Sequence, residues 1–187
     1  MAPFIQAYHR LALLSAEASA DLLPCLAVKT FEKGSLLLRE GQICNKLFFV
    51  ESGLVKVFFA TEEKELIMRF FPEHSLVTIL DSFTLQQPSA YEIMALEDTT
   101  VSWLNHADLE RLCKKHHCIE TGFRKLLSVA AVNMMKRVSE LLEENAGKRY
   151  DNFLRENGAL LQRISLGDLA NYLGITQVSL SRIRSRK

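Results

Sequence analysis

The 187-residue chain lacks an apolar run long enough to span a bilayer, and it does not open on a charged, apolar, small-residue leader. The first absence excludes a membrane-spanning segment. Together they make the cytoplasm the expected compartment and a membrane an unexpected partner. Paired cysteines are missing too. The four present, Cys25, Cys44, Cys113 and Cys118, are scattered through a chain large enough to build a core without disulfides, so reduced thiols are expected. Cys113-Lys-Lys-His-His-Cys118 gathers thiolates and imidazoles but lacks the paired CxxC spacing of common structural zinc sites, and no metal is expected there. Neither internal repeats nor low-complexity linkers occur. Net charge is nearly absent, at +1.

What is present is an ordinary globular balance, 48% apolar and 24% charged residues, distributed unevenly. Residues 1–105 carry a net −5 and residues 106–187 a net +6, so only the second part is suited to a polyanion. The positive charge gathers at the end of the chain, in ISLGDLANYLGITQVSLSRIRSRK. Ser165 is placed to cap a helix, with Asp168 three residues on as in a capping box. Leu166, Leu169, Ala170 and Leu173 give that helix one apolar face. Gly174 suits a left-handed exit. Thr176 can cap a second helix whose Leu180 and Ile183 look back at the first. This spacing predicts a helix-turn-helix. Its second helix leaves Gln177, Val178, Ser179, Ser181 and Arg182 to reach bases or phosphates, with Arg184, Arg186 and Lys187 adding charge beside them.

Earlier in the chain, Phe4, Tyr8, Leu11 and Leu14 suggest a short amphipathic helix. A second helical segment, Ala16 to Leu23, should stop at Pro24. From Ala27 to Leu104 short apolar runs alternate with turn signals at Gly34, Gly41 and Gly53, the pattern of an antiparallel sandwich or barrel. Alternation places Val55, Val57 and Phe59 on one face, and Leu66, Met68 and Phe70 on one face, with a hairpin turn at Thr61-Glu62-Glu63-Lys64. A short helix, His106 to Lys115, is expected with Asn105 as its cap. A long helix follows from about Glu120 to Glu144. Within it Leu127, Ala131, Met134, Val138 and Leu141 step by four and three, a two-heptad seam for a second copy of the chain. Phe123, Leu126 and Ala130 form a second stripe suited to the sheet. Asn145-Ala146-Gly147 reads as a hinge. Beyond it Tyr150, Phe153 and Leu154 should pack a helix on the helix-turn-helix, with Asn157-Gly158 ending that helix. The expected divisions are residues 1–118, 119–144 and 145–187.

Gly34-Ser-Leu-Leu-Leu-Arg-Glu-Gly41, Leu47-Phe-Phe-Val-Glu-Ser-Gly-Leu-Val-Lys-Val57 and the terminal motif together resemble the catabolite activator/fumarate-nitrate regulator (Crp/Fnr) family of bacterial transcription factors. The resemblance implies an α+β chain: a double-stranded β-helix, or jelly roll, of the cyclic-nucleotide-binding type, a long dimerisation helix, and an all-α helix-turn-helix domain. It implies a homodimeric regulator on palindromic double-stranded DNA. The positions matching the family's base contacts are Gln177, Val178 and Arg182. Arg182 is suited to guanine, Gln177 to adenine and Val178 to a thymine methyl. Thr176 and Ser179 are expected on phosphates. The family's β-hairpin wing after the second helix has no counterpart before Lys187. Where cyclic-nucleotide-binding members carry Gly-Glu and, later, Arg before Ser/Thr-Ala, this chain has Val77-Thr78 and Pro88 before Ser89-Ala90. Proline offers a phosphate neither charge nor a donor, so the pocket is degenerate for cyclic nucleotides, and its effector, if it has one, is another small molecule. The family's N-terminal cysteine cluster has no match, lone His9 and His74 do not make a haem site, and no cofactor is expected. Two other function classes compete. A cupin-type enzyme needs a His-x-His with a later Glu and His, against the single His74 between Ala27 and Asn105. A sensor module would bind DNA weakly or without sequence preference. Salt dependence and site preference of DNA binding separate the sensor from the regulator.

Overall fold

The computed structural model describes residues 2–61 and 65–185. Two antiparallel four-stranded sheets form the centre. The first has the order β1-β8-β3-β6, built from Leu26–Phe31, Thr99–Asn105, Lys46–Ser52 and Leu76–Val77. The second has the order β2-β7-β4-β5, from Leu36–Leu38, Glu92–Ala95, Val55–Ala60 and Glu65–Phe71. Strands adjacent in space are distant in sequence, as in a jelly roll. Gly34, Gly41 and Gly53 all take positive φ. At Gly53 a Cβ would lie 2.4 Å from Thr99 Oγ1, so glycine is needed there for both conformation and space.

The sheets enclose one apolar layer, including Phe48, Val50, Val55, Val57, Ile93 and Val101. Their outer faces are partly covered as well. On the first sheet, Leu47, Phe49 and Leu104 pack under helices α1 (Pro3–Leu11) and α4 (His106–Lys115) and the start of α5 (His117–Glu143). Tyr8 stacks on this layer and its hydroxyl donates to the Ile119 carbonyl at 2.7 Å. Gly122 makes room for it, since a Cβ there would sit 2.3 Å from the Tyr8 ring. On the second sheet, Leu54, Phe58, Ile67 and Phe70 pack against α6 (Ala146–Asn157), α7 (Leu166–Leu173) and α8 (Gln177–Ser185). The remaining helices are α2 (Ala16–Leu22), which Ser15 caps, and α3 (Leu80–Leu85).

Several expectations change. Phe70 does not share a face with Leu66 and Met68. The pairing of β4 with β5 shifts between Val57 and Phe58, which leaves Met68 as an extra residue on β5. That bulge turns Ile67 and Phe70 outward to the helices while Met68 packs inward. Val55 and Val57 are inward as expected, and Phe59 reaches the rim of the same layer against Tyr91. Leu14 is buried but lies beyond α1. Asn105 precedes α4 without a side-chain capping bond. The long helix begins at His117, one residue after α4 ends. Ala146 and Gly147 are helical rather than a hinge. The break lies at Glu144–Asn145, where Asn145 caps α6 by accepting from Lys148 N at 3.0 Å. Gly158 continues into a 3-10 turn with ordinary right-handed φ. Glu62–Lys64, the centre of the expected hairpin turn, lies outside the described residues.

Candidate nucleic-acid interface

The helix-turn-helix forms as its sequence dictates. Ser165 Oγ accepts from Asp168 N at 2.9 Å and donates to the Asp168 carboxylate at 2.6 Å. Gly174 ends α7 in the left-handed conformation, and Thr176 Oγ1 accepts from Ser179 N to cap α8. Leu169, Ala170, Leu173 and Leu180 are buried between the two helices and the sheet. Leu166 is the exception: it shares that face by spacing but is exposed, at the first residue of α7. Tyr150 and Phe153 of α6 close the layer, with Leu154 partly buried beside them.

On the outer side of α8, Gln177, Val178, Ser181, Arg182 and Arg184 are exposed, as is Thr176 just before it, while Ser179 is half-buried. The structure thus brings seven of the nine expected contact residues onto or beside one exposed helix; Arg186 and Lys187 lie outside the described residues. Among the described residues, neither Arg182 nor Arg184 has an acidic partner. Their charge therefore remains open to a polyanion.

The buried side of the motif is fastened to the sheet by charge. Lys56, only 5% exposed, sits between Glu65 at 2.7 Å and Asp168 at 2.9 Å. Burial alone would lower the Lys56 pKa, but its bonds to the two carboxylates outweigh that and raise it. Asp168 is pulled the other way by burial, yet Ser165 and Lys56 hold its carboxyl below the ordinary range. Arg163, in the turn before α7, forks between Glu73 and Glu97, with closest contacts of 2.7 and 2.6 Å. The Arg163 bonds depress the Glu73 pKa to about 2. Nothing in the sequence singles out Lys56, which reads as one of many surface lysines.

Along α5, Leu127 is half-buried and Ala131, Met134, Val138 and Leu141 are exposed. The neighbouring ridge is barer still: Val132, Met135 and Leu142 are 65%, 71% and 81% exposed, against 48%, 47% and 44% for Met134, Val138 and Leu141. Phe123 and Leu126 pack toward the first sheet, as expected of the second stripe.

Comparison with known proteins agrees with this geometry. Residues 28–116 match the cyclic nucleotide-binding domain model. An anaerobic regulatory protein of Bacillus subtilis is 25% identical over 87% of this chain and 74% of its own length. The fumarate and nitrate reduction regulatory protein of Yersinia pestis is 28% identical over 84% of this chain and 67% of its own. Together these matches support a Crp/Fnr family relationship for this chain. Crp/Fnr-type architecture extends over nearly all of it. The c-di-GMP-responsive regulator CLP of Xanthomonas campestris superposes with a TM-score of 0.75 at 15% identity, covering 92% of this chain and 91% of that one. Thermus thermophilus catabolite activator protein gives 0.61 at 20% identity, covering 99% and 86%.

The residues matched to the nucleotide cassette are not gathered around one site. A cavity of about 810 Å³ opens between β5, α5 and α6. Of the residues matched to the nucleotide cassette, only Thr78 lines it. Val77 is buried in the inter-sheet layer. Pro88 pairs with Ile43 on the surface, Ser89 turns inward to the Tyr91 carbonyl, and Ala90 is exposed. The cavity walls are instead Met68, Phe71, Leu126 and Val129, with Arg10 and Arg69 among the charged residues lining it. Glu17, Asp21 and His116 converge elsewhere. There Lys115 Nζ, 2.6 Å from Asp21 and 3.5 Å from Glu17, fills the place of a cation. Among the described residues that is the one such cluster, and it contains no cysteine. Cys25 and Cys44 belong to separate apolar layers. No helix among the described residues is long and apolar enough to cross a membrane.

Proposed function

We propose that this protein is a DNA-binding transcription regulator, not an enzyme, that works as a homodimer on a palindromic site and takes no cyclic nucleotide in the family's usual manner. The observation that carries the reading is α8. It is capped at its start and anchored through Leu180, and its Gln177, Val178, Ser181 and Arg182 are turned to solvent. Such a helix fits the major groove, with phosphates held by the flanking cations. The relatives named above are regulatory proteins, which supports the same reading. Dimerisation is supported by the bare apolar face of α5, where a second copy would cover Val132, Met135 and Leu142 together with Met134, Val138 and Leu141. A two-fold pair would set its recognition helices about 34 Å apart, one duplex turn.

The cavity supports a small-molecule effector, and its chemistry disfavours a cyclic nucleotide. With Pro88 on the surface in place of an arginine, a buried phosphate would lack its charge partner. The cysteine arrangement likewise offers no ligand set for a cluster, and we infer a regulator without a resident cofactor.

Selection of bound genomic fragments by the purified protein, followed by a salt titration on the recovered site, tests the function. The expected result is one palindromic preference with affinity falling steeply as salt rises. Indiscriminate binding would instead make the chain a sensor module. Calorimetry with cyclic AMP and cyclic GMP should give no saturable heat, and micromolar binding of either would overturn that part.

A further inference from the structure

The end of α7 receives two arginines from outside the helix-turn-helix. The last carbonyls of a helix have no partner within it and carry partial negative charge, so they seek donors. The Tyr172 carbonyl accepts from Arg137 of α5, whose guanidinium also lies over the Tyr172 ring, 3.9 Å from its centroid. The Leu173 carbonyl accepts from Arg149 Nε of α6 at 3.0 Å. Arg149 donates again, through Nη1, to the carbonyl of Glu144, the residue that ends α5. One turn of α5 beyond Arg137, Leu141 reaches the same place: its Cδ2 would be 3.9 Å from a Cβ on Gly174. The α5 rod, the Glu144–Asn145 break and the turn before α8 are thus tied at one point.

We propose that Arg137 and Arg149 are positioning residues that fix the angle between α5 and the recognition helix, and thereby the half-site spacing the dimer accepts. The inference rests on the dimeric reading above. If α5 pairs the two copies and α8 reads DNA, the separation of the two α8 helices depends on how each is held to its own α5. Residues 174–176 alone separate the clamped Leu173 from the first residue of α8. A rotation at the Glu144–Asn145 break would be doubled by the two-fold axis. Arginine suits this duty because its planar fork serves two carbonyls at fixed angles and stacks on a ring, whereas lysine offers a point charge on a flexible stem. Leaving either carbonyl unpaired in the interface is unfavourable, so the clamped angle is preferred over neighbouring ones.

The test uses the full chain and the half-site recovered by selection. It is presented singly, and as inverted pairs whose separation varies one base pair at a time. The unaltered protein should prefer one separation. Arg137→Met and Arg149→Met should bind that duplex about 2- to 30-fold more weakly, bind the single half-site unchanged, and show a flattened preference across separations. Arg137→Lys, which keeps the charge and loses the stacked fork, should flatten it partly and melt near the unaltered protein. Sedimentation should show all three still dimeric. A spacing profile unchanged in Arg137→Lys and Arg149→Met would overturn the proposal, as would equal losses on single and paired half-sites. If the unaltered protein prefers no separation at all, the dimeric reading fails first and takes the clamp's role with it.

Discussion

Arg182 and Gly122 show how differently single residues bear on this protein. Arg182 is exposed on α8, and its replacement should leave the fold intact. Arg182→Ala is expected to cost about 1–3 kcal/mol on the specific site and to relax selectivity at one base pair, measured by competition between the cognate and point-altered duplexes. Equal losses on cognate and random DNA would remove it from the base-reading set. Gly122 is the opposite case, because the Tyr8 ring occupies the space a side chain would need. Gly122→Ala should lower stability by about 1–3 kcal/mol in denaturant titration through overpacking, despite alanine's better helix propensity. Neither Gly122 nor Lys56 was legible in the chain. A helical glycine signals close approach without naming what approaches. A lysine alternating with valines signals a solvent face until another layer covers it. The caps at Ser165 and Thr176 and the left-handed Gly174 were legible, because each depends only on residues three or four positions away.

Among the elements, β5 and α5 carry the consequences. The extra residue at Met68 turns Ile67 and Phe70 onto the face that receives the helix-turn-helix. Strict alternation could not reveal this, since a bulge is set by strand pairing and leaves no mark in a two-residue period. The Glu73–Arg163–Glu97 bridge beside that face should make docking acid-sensitive. The Glu73 pKa falls from 4.5 to about 2 on folding, so the unfolded chain binds more protons between these values and stability rises with pH there. Its contribution is present above about 4.5 and lost as pH falls toward 2. In Glu73→Gln the stability-against-pH curve should be flatter over that window, read by denaturant midpoints at successive pH values. On α5 the heptad reading runs one residue away from the barest exposed ridge. Met135→Asp is therefore expected to yield monomers in sedimentation at least as readily as Met134→Asp. A persistent dimer in both would mean that α5 is not the seam.

At the scale of the molecule, the run of short strands, most of the helices and the terminal motif were readable from period and punctuation, whereas α3 was not. Their mutual arrangement was not, because contacts such as Lys56–Asp168 span 112 positions in sequence. The sequence suggested a helix-turn-helix division at residues 145–187. The structure gives that unit a core completed by Leu54, Phe58, Ile67 and Phe70. Residues 145–187 expressed alone should consequently show little cooperative melting by circular dichroism, while the full chain melts as one transition. A sharp independent transition in the fragment would show that the sheet is dispensable.

That joint layer also limits how this protein can be recombined with its relatives. A chimera that takes its DNA specificity from a relative and its sheets from this protein would set foreign α7 side chains on Phe58 and Phe70, and would replace Asp168 opposite a lysine that has almost no access to water. Exchange of specificity should succeed by altering the outward residues of α8 alone, or by moving the outer side chains of β4 and β5 along with the helices. Cutting at the apparent linker between them should give misfolded hybrids.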